Sequence, residues 1–457
     1  LYTSENAVCG VYKNVDGSYR IELYKDLDNQ KAVSISKDVE IDLNNHTINF
    51  VTGSGFVLNA DSTFYDGTIN TVNSISIRSN NTTSSFCLNS IELNTTTTDD
   101  YNNVLGGIIS ASLNNVLTNT KINVNNKANG KVSVGYLTGN KNSTIKIDNC
   151  EINASANNST ARCLDVANCE ITNSNITGYS SGGPTGEVEG IYCGKQNSNS
   201  HLFKNIKVNV KLEDSSSKNN AMSATGIYVN NGVADIYNVD IESYGNIKQI
   251  SSNGIFVSTT STINLHSGTI KVNNDTLTGV DCANSGILTG GILNIDESDG
   301  KVLVKGGNCA ITVDKSAVVK IDGGTYYSPN HGGLYNVNCK SIDINNALFY
   351  NSTTAGEDKD ATCIAYGGMY SSGPGTITIS NSRILGGSHG IRIKNDTGGS
   401  ANMTISNSYI EGQNDVLSLA AGTFTVGENV VIKSKTGKLI EDNPQGTLVD
   451  PNGIFSK

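Results

Sequence analysis

Gly226-Ile227-Tyr228-Val229 is followed one repeat later by Gly254-Ile255-Phe256-Val257, and a small residue opening an apolar alternation returns at Gly107, Gly135, Cys163, Gly190, Gly286, Ala310, Gly333, Cys363 and Gly390. The returns come at intervals of roughly 23–36 residues, the mark of stacked units interrupted by loops of unequal length. Between them lie short runs such as Thr376-Ile377-Thr378-Ile379 and Met403-Thr404-Ile405, whose period of two is that of half-buried strands. No segment keeps a helical period.

A second column runs beside the first. Asn45, Asn119, Asn149, Asn205, Asn238, Asn346, Asn381 and Asn407 are each followed three residues later by an apolar side chain, such as Ile122, Ile152 or Ile410. Asparagine tolerates the left-handed backbone region and closes local turns with its amide, so this column reads as a corner. Strands that turn the same corner once per repeat cannot return as hairpins and must stack in parallel.

The expectation is therefore an all-β chain, a single-stranded right-handed parallel β-helix (solenoid) of about 13–15 coils. It would carry an N-terminal cap over 1–35, the β-helix over 36–440 and a C-terminal cap or tail over 441–457.

The net charge of −10, from 32 basic and 42 acidic residues, lacks the basic stripe that a nucleic-acid partner requires. No apolar stretch approaches the ~20 residues of a membrane span, so no membrane insertion is expected. Ten cysteines occur without a CxxC pair, which argues against zinc. Most read as small apolar fillers of an inner ladder; an oxidising compartment would let Cys150 pair with Cys169 if they lie on neighbouring coils.

The segments Gly17-Ser18-Tyr19-Arg20-Ile21-Glu22-Leu23-Tyr24-Lys25-Asp26 and Val39-Glu40-Ile41-Asp42-Leu43-Asn44-Asn45-His46-Thr47-Ile48 resemble the opening of pectate-lyase-like right-handed parallel β-helix proteins. The resemblance is to the surface-adhesin and phage tail-protein kind from Gram-positive anaerobes. It implies a secreted, cell-surface or virion-surface protein, with a homotrimer as the assembly of tail-type members. Enzymes of that fold act on acidic polysaccharides through outward residues of adjacent coils.

Gly387-Ser388-His389-Gly390-Ile391-Arg392-Ile393-Lys394 is similar to the His and Arg-x-Lys elements of polygalacturonases. Here both elements share one strand, and the aspartate pair of that family is missing. Aligning coils on the small-residue column brings His331, Asp360 and His389 toward one edge as catalytic candidates. Glu357, Asp358 and Asp360 share a loop and offer carboxylate oxygens of the kind calcium takes; no other cofactor or metal motif is present. Tyr326, Tyr327, Tyr335, Tyr366 and Tyr370 cluster in a chain with no Trp, and aromatic rings with a hydroxyl suit sugar faces. The ligand-binding candidates are thus those five tyrosines with His331, Asp358 and Asp360.

The expected function is a non-catalytic rod that binds a polysaccharide, a cell-surface glycan or a host-cell receptor, as an adhesin or receptor-binding tail-type protein. The alternatives are a polysaccharide lyase or glycoside hydrolase of the same fold, and a structural spacer.

Overall fold

The computed structural model describes residues 7–97, 105–182, 186–213, 223–245, 251–273, 284–329, 331–351, 367–396, 398–441 and 444–456. The chain divides into two compact units, Leu1–Ser223 and Ala224–Lys457, and both are built from parallel strands stacked as the corner chemistry requires.

One coil of the second unit shows the plan. Ser285–Thr289, Ile292–Ile295 and Val302–Lys305 form its three sides, and each pairs in parallel with the side one coil later: Cys309–Val313, Ala317–Asp322 and Thr325–Ser328. The first unit repeats it, with Ser133–Thr138, Thr144–Asp148 and Glu151–Asn157 stacked on Ala161–Val166, Asn168–Thr172 and Asn175–Ser180. The fold is a parallel β-helix. Inward positions file into ladders such as Ile255, Ile287, Ile311 and Leu334, all essentially sealed from solvent. Each buried aliphatic side chain contributes about 1.5–3 kcal/mol relative to exposure.

The small-residue column is real, and its cause is steric. A Cβ on Gly254 would lie 2.2 Å from Ile270 Cγ2 and 2.7 Å from the carbonyl oxygen of Gly286, and one on Gly135 would lie 2.4 Å from the carbonyl oxygen of Cys163. In the second unit, the register carries the column through Gly254, Gly286, Ala310, Gly333, Gly368, Gly390 and Val416. Gly368 thus occupies the place expected of Cys363. The interval from Gly333 to Gly368 is among the longest in the chain, so an alignment on Cys363 falls five residues short.

All eight corner asparagines adopt the left-handed region, with φ from 47° at Asn238 and Asn407 to 64° at Asn45. Their amides link successive coils: Asn149 Nδ2 donates to Asn119 Oδ1 at 2.7 Å, and Asn381 Nδ2 to Asn345 Oδ1 at 2.7 Å. Asn173 and Asn429 take the same conformation and were not in the sequence column.

At the N-terminus, Cys9–Lys13 lies antiparallel on Tyr19–Leu23. Tyr19–Leu23 and Leu27–Ile35 already pair in parallel with Val39–Asp42 and Thr47–Leu58. Solenoid pairing therefore starts inside the segment read as a cap, and one antiparallel strand covers its edge. Near the other terminus, Phe455 is buried with its ring 6.1 Å from that of Phe424.

Cys150 and Cys169 are not joined by a disulfide. Cys150 sits at the corner, its thiol against Asp148 O and Thr120 N, whereas Cys169 files with Ile145 on another side and meets His201 Nδ1 at 3.4 Å. Asn168 before Cys169 is not a corner, which is why the pairing fails. Cys163 is fully buried, and burial pushes its thiol up to about 12, as befits an inert filler.

Candidate functional site

On the side that carries the inner column, the alternation slips by one residue. Gly135 and Tyr136 are both buried, so the residue before the column and the residue two after it face outward together. The contacts agree: Arg162 Nη1, one before Cys163, meets Asp165 Oδ2, two after it, at 2.9 Å. Ser285 Oγ and Thr312 Oγ1, at the same two positions on successive coils, lie 2.6 Å apart. Each unit thus presents two outward files side by side, a near file and a far file.

In the second unit the far file is aromatic. Tyr228 and Phe256 meet edge to face at 4.5 Å, and Leu288 follows Phe256 in register. A depression of about 240 Å³ opens against these three, with Ser258, Thr259, Asp314 and Lys315 among its other lining residues. Asp314 Oδ1 accepts from the Lys315 backbone N–H at 2.7 Å, and Lys315 is held at φ 53°, so the turn places an anion and a cation beside an apolar wall.

Further along, Thr312 is followed by Tyr335, Tyr370 and Arg392. The tyrosine rings stack at 5.0 Å, and the Arg392 guanidinium lies 5.9 Å from the Tyr370 ring centre. Tyr370 donates to Asp396 Oδ2 at 2.5 Å, and burial followed by that hydrogen bond raises its phenol far above the ordinary value. The near file brings His389 beside Asp415, Nδ1 to Oδ1 at 2.7 Å, with side chains 16% and 6% exposed.

The sequence candidates separate on this frame. Tyr335 and Tyr370 share the far file, and His389 stands in the near one. Tyr327 is outward on a different side, stacked 4.4 Å from Tyr350. Tyr326 is corrected: it is fully buried, stacked 4.6 Å from Phe349, because adjacent strand residues face opposite ways. His331 is buried and precedes Gly332, the residue in register with Gly367 and through it with His389. It is therefore one position out of the His389 file and two coils away, about 10 Å at the strand spacing. Asp358, Asp360, Tyr366 and Glu357 lie outside the described residues. With Gly368 in the column, the alignment that set Asp360 between the two histidines loses its basis.

In the first unit the same positions carry charge. Arg162 bridges Asp165 and Glu189 through Nη1 and Nε, Lys195 sits against Asp165, and the Arg162 guanidinium lies 4.5 Å from the Tyr192 ring centre. Asp165 and Glu189 are only 3% and 4% exposed. Burial raises the Glu189 carboxyl while Arg162 pulls it down. Two cations and two anions cancel, so this cluster works as an internal clamp.

Sequence reasoning missed both groups. Their signals are the second residue after each column glycine, Tyr228 and Phe256, and the charges flanking Cys163 and Gly190, which the column pattern does not single out. Among the described residues no three side chains are grouped to hold a metal ion. No protein-family model matches the chain, and comparison with curated proteins finds no match either.

Proposed function

We propose that this chain is a β-helix of a cell or virion surface that binds glycans along the outward aromatic file of its second unit, holding the sugar chain without cutting it. The observation that carries the reading is the depression beside Tyr228, Phe256 and Leu288, lined also by hydroxyls, an Asp and a Lys. A pyranose presents an apolar face and a belt of hydroxyls, which calls for an aromatic wall with donors and acceptors around it. Half-buried aromatics in an outward file are otherwise a liability on a soluble surface. The resemblance of the N-terminal segments to surface and tail-type β-helices supports the same reading.

A glycan array probed with the purified chain and with Phe256→Ala tests it. The wild type retains a defined set of oligosaccharides and Phe256→Ala loses at least ~10-fold in affinity, the equivalent of 1.4 kcal/mol. No retained glycan, or equal retention by the variant, rejects the reading.

A further inference from the structure

The outward face of the second unit holds a group that sugar binding does not use. His389 is locked by Asp415, whose oxygen meets Nδ1 at 2.7 Å, and no partner for Nε2 is found among the described residues. The next positions of its file on the two preceding coils are Gly367 and Gly332, so on that flank the file sets no side chain against the ring. His266 shows the opposite arrangement: its Nδ1 contacts Asp296 and Ser298, and its Nε2 lies 3.9 Å from Asp235. A histidine oriented through one nitrogen by a buried carboxylate, with the other nitrogen open, is built to take a proton.

We propose that His389 and Asp415 form a general-base dyad that hydrolyses ester substituents, O-acyl groups, of the glycan held on this face; its natural substrate rests on the glycan-binding reading above. Breaking a glycosidic bond by the usual route needs two carboxylates flanking it, and here Asp415 is committed to His389. Ester hydrolysis needs one base and a positive group for the oxyanion. Arg392 supplies that charge from the far file of the same strand, at the position relative to His389 that Asp165 occupies relative to Arg162 in the first unit, where the two side chains meet.

The steps balance with water alone. Water adds to the acyl carbon as its proton passes to Nε2, and the carbonyl electron pair moves to oxygen beside Arg392. The carbonyl then re-forms, the bond from acyl carbon to sugar oxygen breaks, and that oxygen takes the proton back from Nε2. The products are a carboxylic acid and a free sugar hydroxyl. His389 is the catalytic residue and Asp415 a positioning residue.

The full chain is assayed on 4-nitrophenyl acetate and on acetylated xylan. Saturable hydrolysis of the small ester, at least ~100-fold faster than by a His389→Gln protein of unchanged melting temperature, is expected from the usual size of general-base catalysis. Asp415→Asn should lower kcat with KM unchanged, and Asp415→Glu should restore part of it. A wild-type rate equal to that of buffer or of His389→Gln overturns the proposal, and that first comparison needs no folded variant. A rise in KM without loss of kcat in Asp415→Asn overturns the positioning role. The small ester carries no sugar, so its hydrolysis is independent of glycan recognition: cleavage of it with acetylated xylan left intact would retain the dyad and remove the glycan as its substrate.

Discussion

The near and far files of the first unit hold Arg162, Glu189, Asp165 and Tyr192, whereas those of the second hold His389, Asp415, Phe256, Tyr335, Tyr370 and Arg392. Backbone and register are the same at these positions. The first unit fills them with charges that satisfy one another, and the second with rings, a depression and a histidine whose Nε2 has no partner among the described residues. A parallel stack supplies adjacency; the side chains decide whether that adjacency is spent on cohesion or left for a ligand.

The largest effect that would break this contrast is Arg162→Met. It leaves two carboxylates buried without their bridging cation, and loss of one partner of a buried pair costs about 3–5 kcal/mol. Urea unfolding of the chain should show it, and a loss below about 1 kcal/mol would mean that the cluster is a solvated surface pair.

Next are Gly135→Val and Gly254→Val, one in each unit. The inner column is what the units share, and the added atoms meet backbone and isoleucine in both. Overpacking of this kind costs about 1–3 kcal/mol. Both variants should lose stability alike in thermal melts; tolerance in one unit would show that its column has another cause.

Phe256→Ala sharpens the contrast from the other side. It removes half of an edge-to-face pair, worth about 0.5–1.5 kcal/mol beyond area, so unfolding should change little while glycan retention falls. A large loss of stability would make the ring part of the core.

The smallest effect is on pH dependence. Burial holds the Glu189 carboxyl above its ordinary 4.5, so the native cluster binds a proton more readily than the unfolded chain. The stability this contributes is fully present below 4.5 and fades as pH rises through the higher native value. Melting temperatures from pH 4 to 7 should therefore fall with pH more in the wild type than in Glu189→Gln; parallel curves would contradict the assignment.

Much of the fold was legible because each repeat must solve the same steric problem. The close approach at Gly254 and Gly286 and the left-handed corner at Asn149 leave few residue choices, so they show in the sequence. The outward files impose no such limit. Tyr326 and Tyr327 are identical as letters and face opposite ways, and only register decides which is core. Register in turn depends on loop length, and the long interval before Gly368 displaced the expected column to Cys363. The His389–Asp415 pair is half visible: the histidine stands one before a column glycine, but its carboxylate lies 26 residues on, one coil away, at a spacing that varies along the chain.

The chain contains no Trp, which allows the central claim to be tested at one position. Leu288→Trp places a single indole in the aromatic file beside Phe256, and Val431→Trp places one on another side of the same unit. Titration with an oligosaccharide retained on the array should shift and saturate the emission of the first protein and leave the second unchanged. Equal responses, or none at Leu288, would contradict the assignment of the outward aromatic file as the binding surface.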